Sequence, residues 1–110
     1  MEIVKEVKQG IHVMKISGRM DANTAPEAEK VLMSVISEGA KKVILDLGNL
    51  TYISSAGLRV LLIIAKELRI KGGKIVLCSM IGIVKKVFDI SGFSSILVIK
   101  TNENEALQSF

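Results

Sequence analysis

The residues best suited to chemistry are two adjacent serines, Ser54 and Ser55, which lie between two apolar segments. A serine hydroxyl at the start of a helix can accept a backbone N–H as an N-cap, a role that requires no chemistry. The same hydroxyl can carry a phosphate, because free N–H groups and the positive end of the helix dipole stabilise a dianion. Either serine could be the cap, and the sequence leaves both roles open.

Other kinds of chemistry lack the residues they need. A hydrolase triad requires a histidine, but the only one, His12, lies in an early predicted strand, and the serines are not in a G-x-S-x-G motif. His12 has no companions at metal-ligand spacing, so we predict no catalytic residue, no metal and no cofactor. Lys71-Gly72-Gly73-Lys74 follows a predicted helix, the reverse of the P-loop order, and is interpreted as a helix stop. The single cysteine, Cys78, is predicted to pack in the core.

The composition and net charge of the chain indicate its domain organisation and the kinds of partner it can bind. The chain has 110 residues, of which 49% are hydrophobic, which suits one domain over residues 1–110 with a real core. Its net charge of +4 is scattered, and only 4% of residues are aromatic, so we expect no direct contact with nucleic acid. No apolar run reaches the roughly 18 residues that span a bilayer, and the N-terminus lacks a signal-peptide core. We therefore expect a cytoplasmic protein that neither enters a membrane nor forms an obligate oligomer.

Hydrophobic periodicity and turn residues predict the order β-β-α-β-α-β-α-β-α. The first predicted elements are strands over 3–7 and 11–17 joined at Gln9-Gly10, a break over 18–23, and a helix that has a capping box at Thr24–Glu27 and ends at Gly39. A central strand over 43–47, a helix over 58–70 and a strand over 74–78 follow. The last elements are a helix capped by Ser79 and stopped by Gly92, a strand over 96–99, and a helix capped by Asn102. This order predicts a single α/β domain with a mixed, mostly parallel sheet of about five strands and about four helices. The N-terminal hairpin forms its antiparallel edge.

Two segments together resemble a known family. The first is Asp46-Leu47, two residues, Leu50, one residue, and then Tyr52-Ile53-Ser54-Ser55-Ala56-Gly57-Leu58. The second is Gly18-Arg19-Met20-Asp21-Ala22-Asn23-Thr24-Ala25, which is similar to the family's loop between its second strand and first helix. Both resemble STAS domains, specifically the bacterial anti-sigma factor antagonists. With the element order, the resemblance covers essentially the whole chain.

The resemblance implies an interaction protein and not a catalyst. Unphosphorylated members bind an anti-sigma factor that is also a serine kinase, and this frees a sigma factor. The kinase phosphorylates and thereby releases the antagonist, and a PP2C-type phosphatase resets the switch. Alignment on Gly57 puts the phosphorylated serine at Ser55. Ser54 falls where many members have Asp, and it stays an alternative acceptor.

The residues that flank these segments form the expected partner-binding surface. We expect Asp21 to orient the Ser55 hydroxyl or the nucleotide of the kinase, although it could instead cap the first helix. Core packing is the alternative for the apolar members Met20 and Ile53. The candidate surface comprises Met20, Asp21, Asn23, Thr24, Tyr52, Ile53, Ser54, Ser55 and Arg59.

A second function is compatible with the same resemblance. STAS-type domains also occur as subunits of sensory assemblies and of lipid-transport machinery, in which no serine need be phosphorylated. A small ligand-binding or enzymatic α/β domain that uses the same loop is a more distant alternative. Phosphorylation of Ser55 separates the first function from the others.

Overall fold

The chain folds into a five-stranded mixed sheet with helices on both faces. The computed structural model describes residues 1–110. In chain order, the elements are β1 (Glu2–Lys8), β2 (Ile11–Met20), α1 (Ala25–Ser37), β3 (Lys42–Ile53), α2 (Ser55–Ile70), β4 (Lys74–Cys78), α3 (Gly82–Ser91), a 3-10 turn (Phe93–Ser95), β5 (Val98–Lys100) and α4 (Glu103–Leu107). The strands are arranged β1-β2-β3-β4-β5, with β1 antiparallel and the other pairs parallel. The predicted element order, antiparallel edge and central position of β3 are confirmed.

The position of β3 at the centre of the sheet explains why the first half of this strand is almost continuously apolar. Val43, Leu45 and Leu47 belong to the larger core, which α1, α2 and α3 cover, whereas Ile44 belongs to a smaller core beneath α4. Because side chains alternate between the faces of a sheet, a strand covered on both faces needs apolar residues at successive positions. None of the helices combines the length and the apolar character needed to cross a membrane.

Helix α4 is held against its face of the sheet by a cap and by ion pairs. The Asn102 carboxamide oxygen accepts the Glu105 N–H at 2.8 Å, which confirms the predicted cap. The Lys8 ammonium lies 2.7 Å from Oε2 of Glu103, and this contact raises the pKa of Lys8. Both side chains are only partly buried, so the pair orients α4 more than it stabilises the fold.

Cys78 lies in the smaller core, as predicted. Its side chain is completely buried, and that burial raises the pKa of the thiol to about 11. Since the thiolate is the reactive form of cysteine, this residue is inert at neutral pH and serves as a small apolar core residue.

Strand β2 is longer than predicted. The break expected at residue 18 is a bulge, because the register with β3 shifts between Lys15 and Ser17 and again between Gly18 and Arg19. Gly18 has φ +91°, a backbone conformation that other residues rarely adopt. Pairing with β3 then resumes and continues to Met20. The interruption of the alternating apolar pattern at Gly18 is therefore a bulge within β2 and not its end.

Strand β3 is also longer than predicted, by six residues beyond Leu47. The segment Asn49–Ile53, expected to be a loop, continues the parallel pairing with β2, and Ile53 lies opposite Met20. Strand β4 pairs with β3 only as far as Asp46, so the second half of β3 has one neighbouring strand instead of two. Helix α2 consequently begins at Ser55 and not at the predicted residue 58.

The region after β4 also differs from the prediction. Ser79 does not cap α3, because it adopts a left-handed conformation with φ +67° and the helix begins only at Gly82, after Ile81. The 3-10 turn Phe93–Ser95 then delays β5, which occupies Val98–Lys100 instead of residues 96–99. The later start of β5 follows from this 3-10 turn, which sequence periodicity does not detect.

Helix α2 approaches the end of β2 so closely that only glycine fits at position 57. A Cβ atom on Gly57 would lie 2.9 Å from the carbonyl oxygen of Met20 and 2.8 Å from Cγ1 of Ile53. Real Cβ atoms essentially never approach a backbone oxygen this closely. Gly57 is therefore required for the contact between α2 and the β2–β3 pair.

We expect Gly57→Ala to destabilise the fold by about 1–3 kcal/mol, because the added methyl group forces α2 away from Met20. Gly82→Ala is the matched control, since a Cβ there meets nothing within 4 Å and the change should shift stability by less than about 1 kcal/mol. Urea unfolding followed by circular dichroism measures both changes. Equal stabilities for the two variants would contradict the close approach at Gly57.

Candidate functional site

The candidate site lies where β3 passes directly into α2. Ser54 is the single residue between the two elements, and its N–H donates to the Met20 carbonyl at 2.9 Å. Because Met20 is the last residue of β2, this bond ties the start of α2 to the end of the neighbouring strand. The loop that follows β2 and the start of α2 therefore lie side by side.

Ser54 is the residue that caps α2. Its backbone is extended, and its Oγ accepts the N–H of Gly57 at 3.3 Å. Its side chain is half-buried between the strand and the first turn of the helix. Of the two serines that the sequence allowed as the cap, the structure selects Ser54.

Ser55 differs from Ser54 in its position, its exposure and its hydrogen bonding. It is the first residue of α2, it is exposed, and its hydroxyl makes no hydrogen bond within the protein. The N–H groups of Ser55 and Ala56 have no acceptor within the helix, as at any helix start. Arg59 lies one turn further along the same helix side, exposed and without an ion pair. A negatively charged group on Ser55 would thus meet free donors and a nearby cation.

Asp21 organises the loop that begins beside Ser54. Its carboxylate accepts the N–H of Asn23 at 2.9 Å and that of Thr24 at 3.2 Å. The hydrogen bond from Asn23, and then that from Thr24, holds the pKa of Asp21 below its usual range. No hydrogen bond or ion pair joins Asp21 to Ser55, and its carboxylate accepts only from residues ahead of α1, so within the isolated chain Asp21 shapes the loop before α1 without capping the helix itself.

The capping box predicted for α1 is wrong. Thr24 occupies the N-cap position, but its hydroxyl makes no bond to the first turn of α1. It instead accepts the Asp21 N–H at 2.9 Å and donates to the Arg19 carbonyl at 2.8 Å. The Asp21 carboxylate accepts the backbone N–H groups of this loop, and the Thr24 hydroxyl is directed back toward β2 instead of toward α1. Glu27 therefore has no threonine cap with which to form the reciprocal capping box.

Arg19 belongs to the site, although the sequence did not single it out. Its guanidinium lies 4.2 Å from the centre of the Tyr52 ring, and its Nε is 3.9 Å from Oδ2 of Asp21. Arg19 and Tyr52 are register partners on β2 and β3. Because that pairing follows a bulge and lies in a segment that resembled a loop, no local signal in the sequence could have revealed it.

Two of the candidate partner-binding residues cannot touch a partner directly. Met20 and Ile53 are 0% and 3% exposed and pack in the larger core, as the core-packing alternative held. The others are accessible. We call them, with Arg19, the switch surface: Arg19, Asp21, Asn23, Thr24, Tyr52, Ser54, Ser55 and Arg59.

The two serines should differ in their contribution to stability. Ser54→Ala removes the cap from Gly57 and should cost about 1 kcal/mol of folding free energy. Ser55→Ala removes only an exposed hydroxyl from the first helical position and should change stability by less than about 0.5 kcal/mol. Thermal unfolding of both variants tests this assignment. The opposite order of stabilities would make Ser55 the cap.

Asp21 should make folding sensitive to acid. Its folded pKa lies below the unfolded value, so its contribution to stability is complete at higher pH and is lost as the pH falls through the folded pKa. Asp21→Asn cannot titrate, so we expect wild type to lose more stability than this variant between about pH 6 and about pH 3. Urea unfolding at both pH values gives the comparison. Parallel losses in the two proteins would contradict the hydrogen-bonded state of the carboxylate.

Comparison with known sequences identifies relatives along almost the whole chain. The STAS domain family matches residues 2–106. The chain is 38% identical over 110 residues to BtrV of Bordetella bronchiseptica, a protein assigned to the anti-sigma factor antagonists, and the match covers 100% of this chain and 95% of BtrV. It is 30% identical over 108 residues to the anti-sigma F factor antagonist of Paenibacillus polymyxa, covering 97% of this chain and 92% of that protein.

Solved structures share the fold at lower sequence identity. An anti-sigma factor antagonist from Mycobacterium paratuberculosis superposes with a TM-score of 0.90 at 20% identity, over 98% of this chain and 92% of that one. SpoIIAA of Bacillus, in its phosphorylated form, gives 0.74 at 23% identity over 98% of both chains. A sulfate transporter family protein of Wolinella succinogenes gives 0.78 at 23% identity, over 96% of this chain and 88% of that one. On the whole-length sequence matches, the chain belongs to the STAS domain family, among its anti-sigma factor antagonists.

Proposed function

We propose that this chain is a cytoplasmic, non-catalytic anti-sigma factor antagonist that is switched by phosphorylation of Ser55. The unphosphorylated chain binds an anti-sigma factor that is also a serine kinase, and this frees the sigma factor. Transfer of phosphate to Ser55 releases the kinase, and a PP2C-type phosphatase restores the binding form. The observation that supports the proposal most directly is that the Ser55 hydroxyl is exposed and makes no hydrogen bond within the protein.

The choice of Ser55 over Ser54 rests on what each hydroxyl already does. A kinase needs an accessible oxygen that can attack the terminal phosphate of a nucleotide. The Ser54 oxygen is half-buried and accepts the Gly57 N–H, so modification there would sacrifice the cap of α2. Modification of Ser55 leaves the cap intact. Ser54 therefore has the role of the structural residue beside the acceptor.

The switch surface also accounts for how phosphate could release a partner without a change in fold. The phosphate adds about −1.5 to −2 charges and three acceptor oxygens at the centre of a surface that docks around a neutral hydroxyl. A loss of about 3 kcal/mol in binding corresponds to a roughly hundredfold weaker complex. Within the chain, the first turn of α2 and Arg59 can interact with the same phosphate favourably. The free-energy cost of repulsion and desolvation then weakens the complex and does not destabilise the folded chain.

Relatives support the same interpretation. BtrV and the Paenibacillus protein are named as anti-sigma factor antagonists and match almost the whole chain. SpoIIAA, which shares the fold, has been solved in both an unphosphorylated and a phosphorylated form. The fold therefore accommodates phosphorylation in that protein.

The decisive experiment uses protein purified from its native cells. Intact mass before and after treatment with a PP2C-type phosphatase should show the loss of one phosphate, which peptide mapping should place at Ser55. Ser55→Ala should lack the phosphate, and Ser54→Ala should retain it. A stoichiometric phosphate on Ser55→Ala would move the acceptor to Ser54.

Binding to the candidate kinase gives a second, separable readout. In the presence of ATP, wild type should be phosphorylated and released, whereas Ser55→Ala should dock and remain bound. Ser55→Asp should bind at least about tenfold more weakly than Ser55→Ala. Tyr52→Ala and Arg59→Ala should weaken docking, while Lys30→Ala, an exposed change on α1, should not. Normal binding by both switch-surface variants would place the docking surface elsewhere.

An alternative function is a STAS subunit of a sensory or transport assembly that works without phosphorylation. The observation that favours it is the shared fold of the Wolinella sulfate transporter family protein. This alternative predicts no phosphate on either serine in native cells and no transfer from any candidate kinase. The intact-mass measurement therefore decides between the two functions.

A further inference from the structure

A cleft of about 520 Å³ lies on α2 at the end opposite to the switch surface. Its floor is apolar and is formed by Leu62 and Ala65 of α2, Ile75 of β4, and Leu97 before β5. We call it the α2 cleft. It lies between α2 and the segment 96–98, which leads from the 3-10 turn into β5.

The rim of the α2 cleft carries positive charge only. Lys66, Arg69 and Lys74 line it, and no aspartate or glutamate does. None of the three cations has a carboxylate within 4 Å, whereas five other cations of the chain have such a partner. The Lys74 ammonium turns to the opposite face of the sheet, where it donates to the Ser109 carbonyl at 2.6 Å and lies 5.4 Å from the centre of the Phe110 ring, so the free cations of the cleft are Lys66 and Arg69.

We propose that the α2 cleft binds a small anionic amphiphile, an organic carboxylate with an apolar tail. The unpaired cations attract the carboxylate, and the apolar floor gains by burying the tail. A plain inorganic anion would leave that floor exposed. A nucleotide base would find no aromatic ring to stack on, because none lines the cleft. The volume falls within the range of small-molecule sites, which favours such a ligand over a protein segment.

The α2 cleft is independent of the proposed phosphorylation site. Lys66 and Arg69 lie 11 and 14 residues after Ser55 on one helix, which places them about 16 and 21 Å away. Neither belongs to the switch surface. Binding of the carboxylate can therefore be tested without a kinase, and its failure would leave the assignment of Ser55 untouched.

The test uses octanoate as the probe and full-length protein with labelled amides. Titration should give saturable chemical-shift changes centred on Leu62, Ala65 and Leu97, and octanoate should raise the unfolding temperature. The neutral analogue octanol and the tail-less anion acetate should each bind at least about tenfold more weakly, because each lacks one of the two interactions.

Charge reversal supplies the matched variants. Lys66→Glu combined with Arg69→Glu should weaken octanoate about tenfold or more, since two attractions become repulsions. Lys86→Glu, an exposed change on α3 outside the cleft, should leave binding unchanged. Should the double variant not fold, Lys66→Gln and Arg69→Gln singly should each weaken octanoate about two- to fivefold.

Several outcomes would overturn the proposal. They are the absence of saturable shifts with octanoate, shifts located away from the cleft, and equal binding of octanol and octanoate by all variants. Self-association of wild type that the charge-reversal variant abolishes, without octanoate binding, would identify the cleft instead as a contact between copies of the chain.

Discussion

The contact between the first turn of α2 and the last residue of β2 is the constraint on which the site depends. Gly57 has no side chain, so the helix can descend onto Met20, whose carbonyl accepts the Ser54 N–H at 2.9 Å. This contact fixes where the helix begins, and hence which serine caps it and which one faces solvent. Met20 and Ile53 are buried beneath it, so residues that no partner touches determine the shape of the surface that a partner would recognise. Such a site is held by packing, which fixes the backbone from which the Ser55 hydroxyl projects.

Strand β3 connects this surface to the core of the domain. Its first half lies between β2 and β4 and is buried on both faces. Its second half extends past β4 and pairs only with β2, and there its outward-facing residue Tyr52 is exposed beneath the Arg19 guanidinium. A single strand therefore has two physical environments. The buried half anchors the strand in the core, and the protruding half carries polar and aromatic groups to a position where another protein can contact them.

The features that the sequence predicted well are those that depend on neighbours along the chain. The apolar run Val43–Leu47, the hairpin at Gln9-Gly10 and the Asn102 cap each follow from local period or turn chemistry, and each is present. Two of the features that it did not determine depend on distant partners. Gly18 interrupts the two-residue period without ending β2, because pairing with β3 resumes after the bulge. Likewise, propensity allows either serine to cap α2, and only the distant Met20 carbonyl determines the choice of Ser54.

The division of roles between the serines also bears on the energetics of the proposed switch. A carboxylate in place of the Ser54 hydroxyl would stand next to a phosphate on Ser55. Two like charges about 5 Å apart repel by about 1 kcal/mol in a watery environment and by more where water is excluded. Ser54 caps α2 without adding that charge. Under the proposed switch, a phosphate on Ser55 would therefore meet no like charge from position 54, and the first turn of α2 and Arg59 would stabilise it. In this chain the free-energy difference between bound and released states should therefore arise at the interface with the partner and not within the folded domain.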